Sequence, residues 1–194
     1  MYRIKNLVNE KTLKMIYFSL IYPHLLYGVP IWGNADNTHL NSLLILQKKA
    51  VRIISNKDKN IHKLYKLPGN PDTYWLMDTF VKEPSSPIFN DLNILKIHDI
   101  FNIATLNFVY ESIKQINPRQ FHEYYHYPTN DRNTAANRKH NLDTPQMRTV
   151  TYGIKSIKYT GCILWNNLPD KIRTSPSKKS FTKLTKNHFL SMSA

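Results

Sequence analysis

Residues 36–54, DNTHLNSLLILQKKAVRII, read as one amphipathic helix. Leu40, Leu43, Leu44, Gln47, Val51 and Ile54 recur at spacings of three and four, which puts them on one side of a helix with 3.6 residues per turn. Lys48, Lys49 and Arg52 fall on or near the opposite side, so one face is apolar and the other cationic. Asp36 or Asn37 can accept from the free amides of the first turn and marks the start.

Upstream, Asn9 is placed to cap a helix beginning at Glu10, with Leu13, Ile16, Tyr17, Leu20 and Ile21 on its buried face. Pro23 closes that helix or bends it. Met15 to Trp32 carries no formal charge over eighteen residues, near the length of a membrane span. Pro23, Pro30, Ser19, His24, Gly28 and three tyrosines interrupt it, so the expectation is a helix to about Tyr22 and a buried turn beyond it.

Downstream, 56–87 mixes a charge run at 56–60 with Pro68-Gly69-Asn70-Pro71 and Pro84-Ser85-Ser86-Pro87. It reads as an irregular connection with one short helix around Tyr74–Val81. A third helix is expected from His98 to Gln115, burying Ile100, Ile103, Ala104, Leu106, Phe108, Val109 and Ile113. Residues 127–150 are polar and basic. Ile154, Ile157, Gly161, Leu164, Trp165 and Leu168 keep helical spacing up to Pro169, and a last helix from Ser177 carries Phe181, Leu184 and Phe189. With no strong strand alternation, the expected class is mainly α. It comprises a helical unit over 1–55, a variable connection or insertion over 56–87 and a helical basic unit over 88–194.

Composition narrows the function. Among 194 residues, 27 Lys and Arg stand against 13 Asp and Glu, a formal net charge of +14. The excess is steepest from Asp131 onward, with 12 basic and 3 acidic residues. Such a field attracts polyanions, nucleic acid first and an anionic membrane surface second. Cys162 is the only cysteine, which rules out an internal disulfide or a thiolate cluster. Met1 is followed by Tyr2-Arg3-Ile4-Lys5 without an apolar run, so the chain is expected not to be secreted and to work in the nucleus or cytoplasm.

His122-Glu123-Tyr124-Tyr125-His126 spells H-E-x-x-H, the pattern that sets two zinc ligands and a general base on one helix face. The context argues against a zinc peptidase. Glu123 is the last glutamate, so no downstream Glu ligand exists, and Pro118 and Pro128 leave too short a helix. None of the 13 acidic residues has Lys two positions later, which removes a restriction-like nuclease. Two cationic candidates remain. Lys48, Lys49 and Arg52 could grip duplex phosphates without reading sequence, or form a solvated face. Arg148, Lys155 and Lys158, interleaved with Tyr152 and Tyr159, could hold unpaired bases, or belong to a helix packed at the terminus. Trp32, Trp75 and Trp165 read as core anchors.

Four blocks carry a family resemblance: TLKMIYFSLIYPHLLYGVPIWG (12–33) with LLILQKKAVRII (43–54), SPIFNDLNILKIHDIF (86–101), RTVTYGIKSIKYTGCILWNNLPDKI (148–172) and SFTKLTKNHFL (180–190). In this order they resemble the thumb and post-thumb region of jockey-like non-LTR (LINE-type) retrotransposon reverse transcriptases. The resemblance implies a fragment of an RNA-directed DNA polymerase, with 1–55 as its thumb-like unit. Its partners would be template RNA, RNA–DNA duplex and an upstream palm and fingers, and no membrane. Its Lys48, Lys49 and Arg52 would lie along the duplex. The parent would use Mg2+ held by paired aspartates. This sequence has neither Asp-Asp nor Asp-x-Asp, so no cofactor and no catalysis are expected of it alone. Residues 57–85 are longer than the family's link, and Asp131–Leu142 matches only loosely. A degenerate remnant acting as a basic scaffold is the alternative.

Overall fold

The computed structural model describes residues 1–55, 63–67, 70–77, 85–128 and 140–192, and the chain is mainly helical. Asn9 accepts the Thr12 N–H at 2.9 Å and starts α1 (Glu10–Ile16). Pro23 bends the chain rather than ending it. A π-helical turn, Tyr17–Ile21, takes up the missing proline N–H, and α2 (Tyr22–Leu26) continues beyond it. The turn after Tyr22 is buried only in part: Val29 and Gly33 are buried, whereas Tyr27 is 85% exposed and Ile31 87%. Gly28, at φ +61°, makes the left-handed step into α3 (Val29–Trp32). Among the described residues no helix is long and apolar enough to cross a membrane.

α4 (Asn37–Ile54) is the amphipathic helix its sequence predicts, with Leu40, Gln47, Val51 and Ile54 buried and Leu43 and Leu44 half-buried. The connection differs from its expectation. β1 (Lys63–Leu67) and β2 (Asn70–Met77) pair antiparallel, Tyr65 opposite Trp75 and Leu64 opposite Leu76. Residues 74–77 therefore finish a strand where a helix was predicted. Aromatic residues favour the pleated chain there, a signal that the weak alternation concealed. The charge run at 56–60, residues 78–81 of the predicted helix and residues 129–139 lie outside the described residues.

α5 (Ser85–Asp91) leads into α6 (Ile97–Ile113), the axis of the molecule. Ile97, Ile100, Phe101, Ile103, Thr105, Leu106, Val109, Tyr110 and Ser112 are all buried, so α6 is enclosed around its circumference. Both helices end in left-handed residues other than glycine. Ile94 N–H reaches Phe89 C=O past Asn93, and Ile116 N–H reaches Glu111 C=O past Gln115. A second π-helical turn, Val150–Ile154, precedes α7 (Ile157–Asn166), α8 (Asp170–Arg173) and α9 (Lys178–Met192).

Three buried clusters follow one another from α5 to the end of α6. Leu13, Tyr17, Val51 and Ile54 meet Ile88, Phe89, Leu92 and Ile94. Val29 meets Leu95, Ile97, Ile100 and Phe101, with Leu44 and the α9 residues Phe189 and Leu190 packed against them. Leu106, Val109 and Tyr110 meet Tyr125, Cys162, Trp165, Leu168 and Phe181. The packing thus joins α5 and the start of α6 to the N-terminal helices.

Candidate nucleic-acid interface

The cationic side of α4 stands on a buried amide. Gln47 Nε2 donates to the Tyr17 hydroxyl at 2.9 Å and to Leu95 C=O at 2.8 Å, while Gln47 Oε1 accepts the Ile97 N–H at 3.0 Å. Gln47 therefore ties α4 to the π-helical turn and caps the first amide of α6. Burial pushes the Tyr17 phenol up to about 12, against the lowering effect of the Gln47 hydrogen bond. With α4 fixed in rotation, Lys49 is exposed and Lys48 and Arg52 are half-buried. Among the described residues none pairs with the Lys48 or Lys49 ammonium.

The outer surface of α4 is not purely cationic. Ile45 is 53% exposed and Leu46 60%. Leu43 and Leu46 also line a hollow of about 240 Å3 with Leu20, Ile21, His24 and Leu25. The sequence reading placed apolar side chains only inward. A helix of this breadth exposes part of its leucine stripe wherever its neighbours, here α1 and α2, cover only one flank.

The second candidate cluster comes apart. Arg148 is exposed and Tyr152 is 88% exposed, so this pair projects into solvent. Lys155 does not join them: its ammonium is bonded to the Asp36 carboxylate, and its carbonyl accepts from the Asn34 amide. Lys155 is thus a latch between the start of α4 and the segment before α7. The Lys155 ammonium in turn holds the Asp36 carboxyl below its ordinary value. Lys158 sits 5.7 Å over the Tyr124 ring, and Tyr159 is half-buried. Asp36 stands at the head of α4 but gives its side chain to Lys155 rather than to the helix amides.

The sequence reading missed a third cationic surface. Lys178, Lys179, Lys183 and Lys186 line a shallow hollow along α9 with Thr182. Its signal was in the sequence: after Asp170 no acidic residue occurs, and Lys179, Lys183 and Lys186 keep i, i+4, i+7 spacing.

The H-E-x-x-H residues do not share a helix face. Residues 122–126 form a turn after the short 3-10 helix Arg119–Phe121, and the His122 Nε2–H donates to Asn117 C=O at 2.7 Å. Tyr125 is buried and donates to Ile157 C=O, so this aromatic segment packs into the core. Among the described residues no group of three or more His, Cys, Asp or Glu is placed to hold a metal. Cys162 is buried against Asp143 C=O, and burial pushes its thiol up to about 11, which keeps it protonated and unreactive at neutral pH. Trp165 is a core anchor, its indole N–H on His140 C=O, whereas Trp32 is half-buried with its N–H on Tyr27 C=O.

Comparison with protein-family models, curated proteins and solved structures returns no match.

Proposed function

We propose that this chain is the non-catalytic C-terminal part of a non-LTR retrotransposon reverse transcriptase, binding template RNA or RNA–DNA duplex through its phosphates. The supporting observation is the set of α4: a buried amide locks its inner side, and Lys48 and Lys49 stand outward without a partner among the described residues. A helix so fixed grips a phosphate ladder with little ordering of its own, and its contacts carry no base information. Arg148 and Tyr152 add an exposed cation and an exposed ring, suited to an unpaired template strand. The polymerase's Mg2+ belongs to carboxylates of an upstream palm. This chain has no adjacent aspartates, and no metal-dependent step falls to it. Such a fragment works where nucleic acid is, in the nucleus or cytoplasm.

Titration with an RNA–DNA hybrid at several salt concentrations tests the reading. Engagement of about six phosphates gives log K falling with log salt at a slope of roughly −4 to −5. A flat line removes it.

A second reading, a basic scaffold derived from such an element, draws on exposed Leu20 (64%) and Leu46 in the hollow between the π-helical turn, α2 and α4, and on exposed Ile45. Its partner binding would be insensitive to salt.

A further inference from the structure

Residues 171–194 hold six of the chain's basic residues and no acidic one. Two of the six are engaged. Arg173 binds Asp170 Oδ1 at 2.5 Å and His140 C=O at 3.1 Å, and Lys178 binds Glu111 Oε1 at 2.6 Å. Lys179, Lys183 and Lys186 are different. They lie side by side on α9, and among the described residues none pairs with them.

At 1.5 Å of rise per residue the three span about 10 Å of helix axis. That is close to the screening length of about 8 Å at physiological salt. The ammonium groups therefore repel one another and present a single field, a strain that a polyanion relieves. The helix beneath them is held firmly. Phe181 and Thr185 are fully buried on its inner side, and Phe181 stacks on Tyr110 at 4.6 Å and on Trp165 at 5.8 Å.

The same packing chooses among polyanions. An amphipathic helix that lies in a membrane surface sinks its apolar face into it, and most of the apolar face of α9 is spent on the core. A surface for unpaired bases offers rings to stack on, and α9 exposes none. What remains is a row of cations suited to the continuous phosphates of a double strand.

We infer that Lys179, Lys183 and Lys186 form a backbone-binding strip for double-stranded nucleic acid, distinct from the α4 face. The strip rests on the nucleic-acid reading above and adds a second site to it.

The full chain is titrated with a short mixed-sequence RNA–DNA hybrid over a range of KCl, alongside K179Q/K183Q/K186Q and K48Q/K49Q. The triple variant is expected to lose roughly 2–3 from the salt slope, equally for hybrids of different sequence. K179R/K183R/K186R is expected to bind as wild type. If the glutamine triple does not fold, Lys179→Gln and Lys183→Gln singly serve instead, each expected to lose about one from the slope. An unchanged slope in the triple variant, with binding weakened in K48Q/K49Q, overturns the strip and leaves the proposed function standing. A wild-type chain with no salt dependence overturns both. Loss of binding to phosphatidylserine vesicles but not to the hybrid overturns the strip in favour of a membrane surface.

Discussion

The two ends of α6 are held by different chemistry. At the first end one side chain, Gln47, satisfies the Ile97 amide and the Leu95 carbonyl and reaches the Tyr17 hydroxyl. At the second end large rings do the work: Tyr110, Phe181 and Trp165 stack in succession, and the Tyr110 hydroxyl adds a bond to Ser175 C=O. The first joint is directional and depends on a few atoms in fixed geometry. The second depends on buried area and close approach. Gly161 shows how close, since a Cβ there would lie 2.5 Å from the Tyr125 hydroxyl and 2.8 Å from Val109 Cγ2. A chain with 5 glycines has placed one where two helices need it absent of side chain. Each cationic surface depends on one of these joints, α4 on the amide and α9 on the rings.

The largest effect is expected from Trp165→Ala. Removing a fully buried indole that also donates to His140 C=O should cost about 3–5 kcal/mol, read from urea denaturation. The α9 strip should lose its share of hybrid binding together with the stack. A cost under about 1 kcal/mol would mean that the rings do not carry the second end.

Gln47→Met comes next. The side chains are close in volume, so the change isolates the hydrogen bonds and leaves the buried Ile97 amide and Leu95 carbonyl without partners, at about 2–3 kcal/mol together. Amide exchange should quicken at Ile97 and not in α9. Tyr17 supplies a pH signature. Its folded pKa of about 12 lies above its ordinary 10.0, so its contribution is complete below pH 10.0 and is lost as pH rises through about 12. Without the Gln47 donor the phenol is held higher still, and the alkaline loss extends upward. Exchange that quickens equally at both ends would show one joint rather than two.

The sequence disclosed these two joints unequally. The α4 stripe, the Asn9 cap, α6 and the stops around Pro118 and Pro169 were readable, because each depends on residues within a turn or two of one another. Gln47 was read as a member of the buried stripe, but its partners lie 30 to 50 residues away and no local pattern names them. Lys155 was grouped with Arg148 and Lys158 by proximity in sequence. Its actual partner, Asp36, is 119 residues distant. The hairpin was missed for the opposite reason, since its signal is local but spread over two short runs of mixed polarity. The α9 lysines are legible in the sequence from their i, i+4, i+7 spacing, beside the pattern of the helix's buried side.

Asp36→Asn is expected to have the smallest effect on stability and to be the most informative about how the halves communicate. The Asp36–Lys155 pair is a bond between an exposed carboxylate and a partly exposed ammonium. Water and salt screen such pairs, and the ordering of two side chains offsets most of the attraction. The urea midpoint should stay where it is at neutral pH. Because Lys155 lowers the Asp36 pKa below 3.8, whatever the pair contributes is present above pH 3.8 and is lost as pH falls through the lowered value. Binding should move the other way. The substitution raises the net charge by one and frees the Lys155 ammonium, so the salt slope for the hybrid should steepen by about 0.9 if Lys155 then meets a phosphate. An unchanged slope would keep Lys155 out of the interface even when it is released. A clear drop in midpoint would mean that the latch, and not α6 alone, joins the amide-held end to the ring-held one.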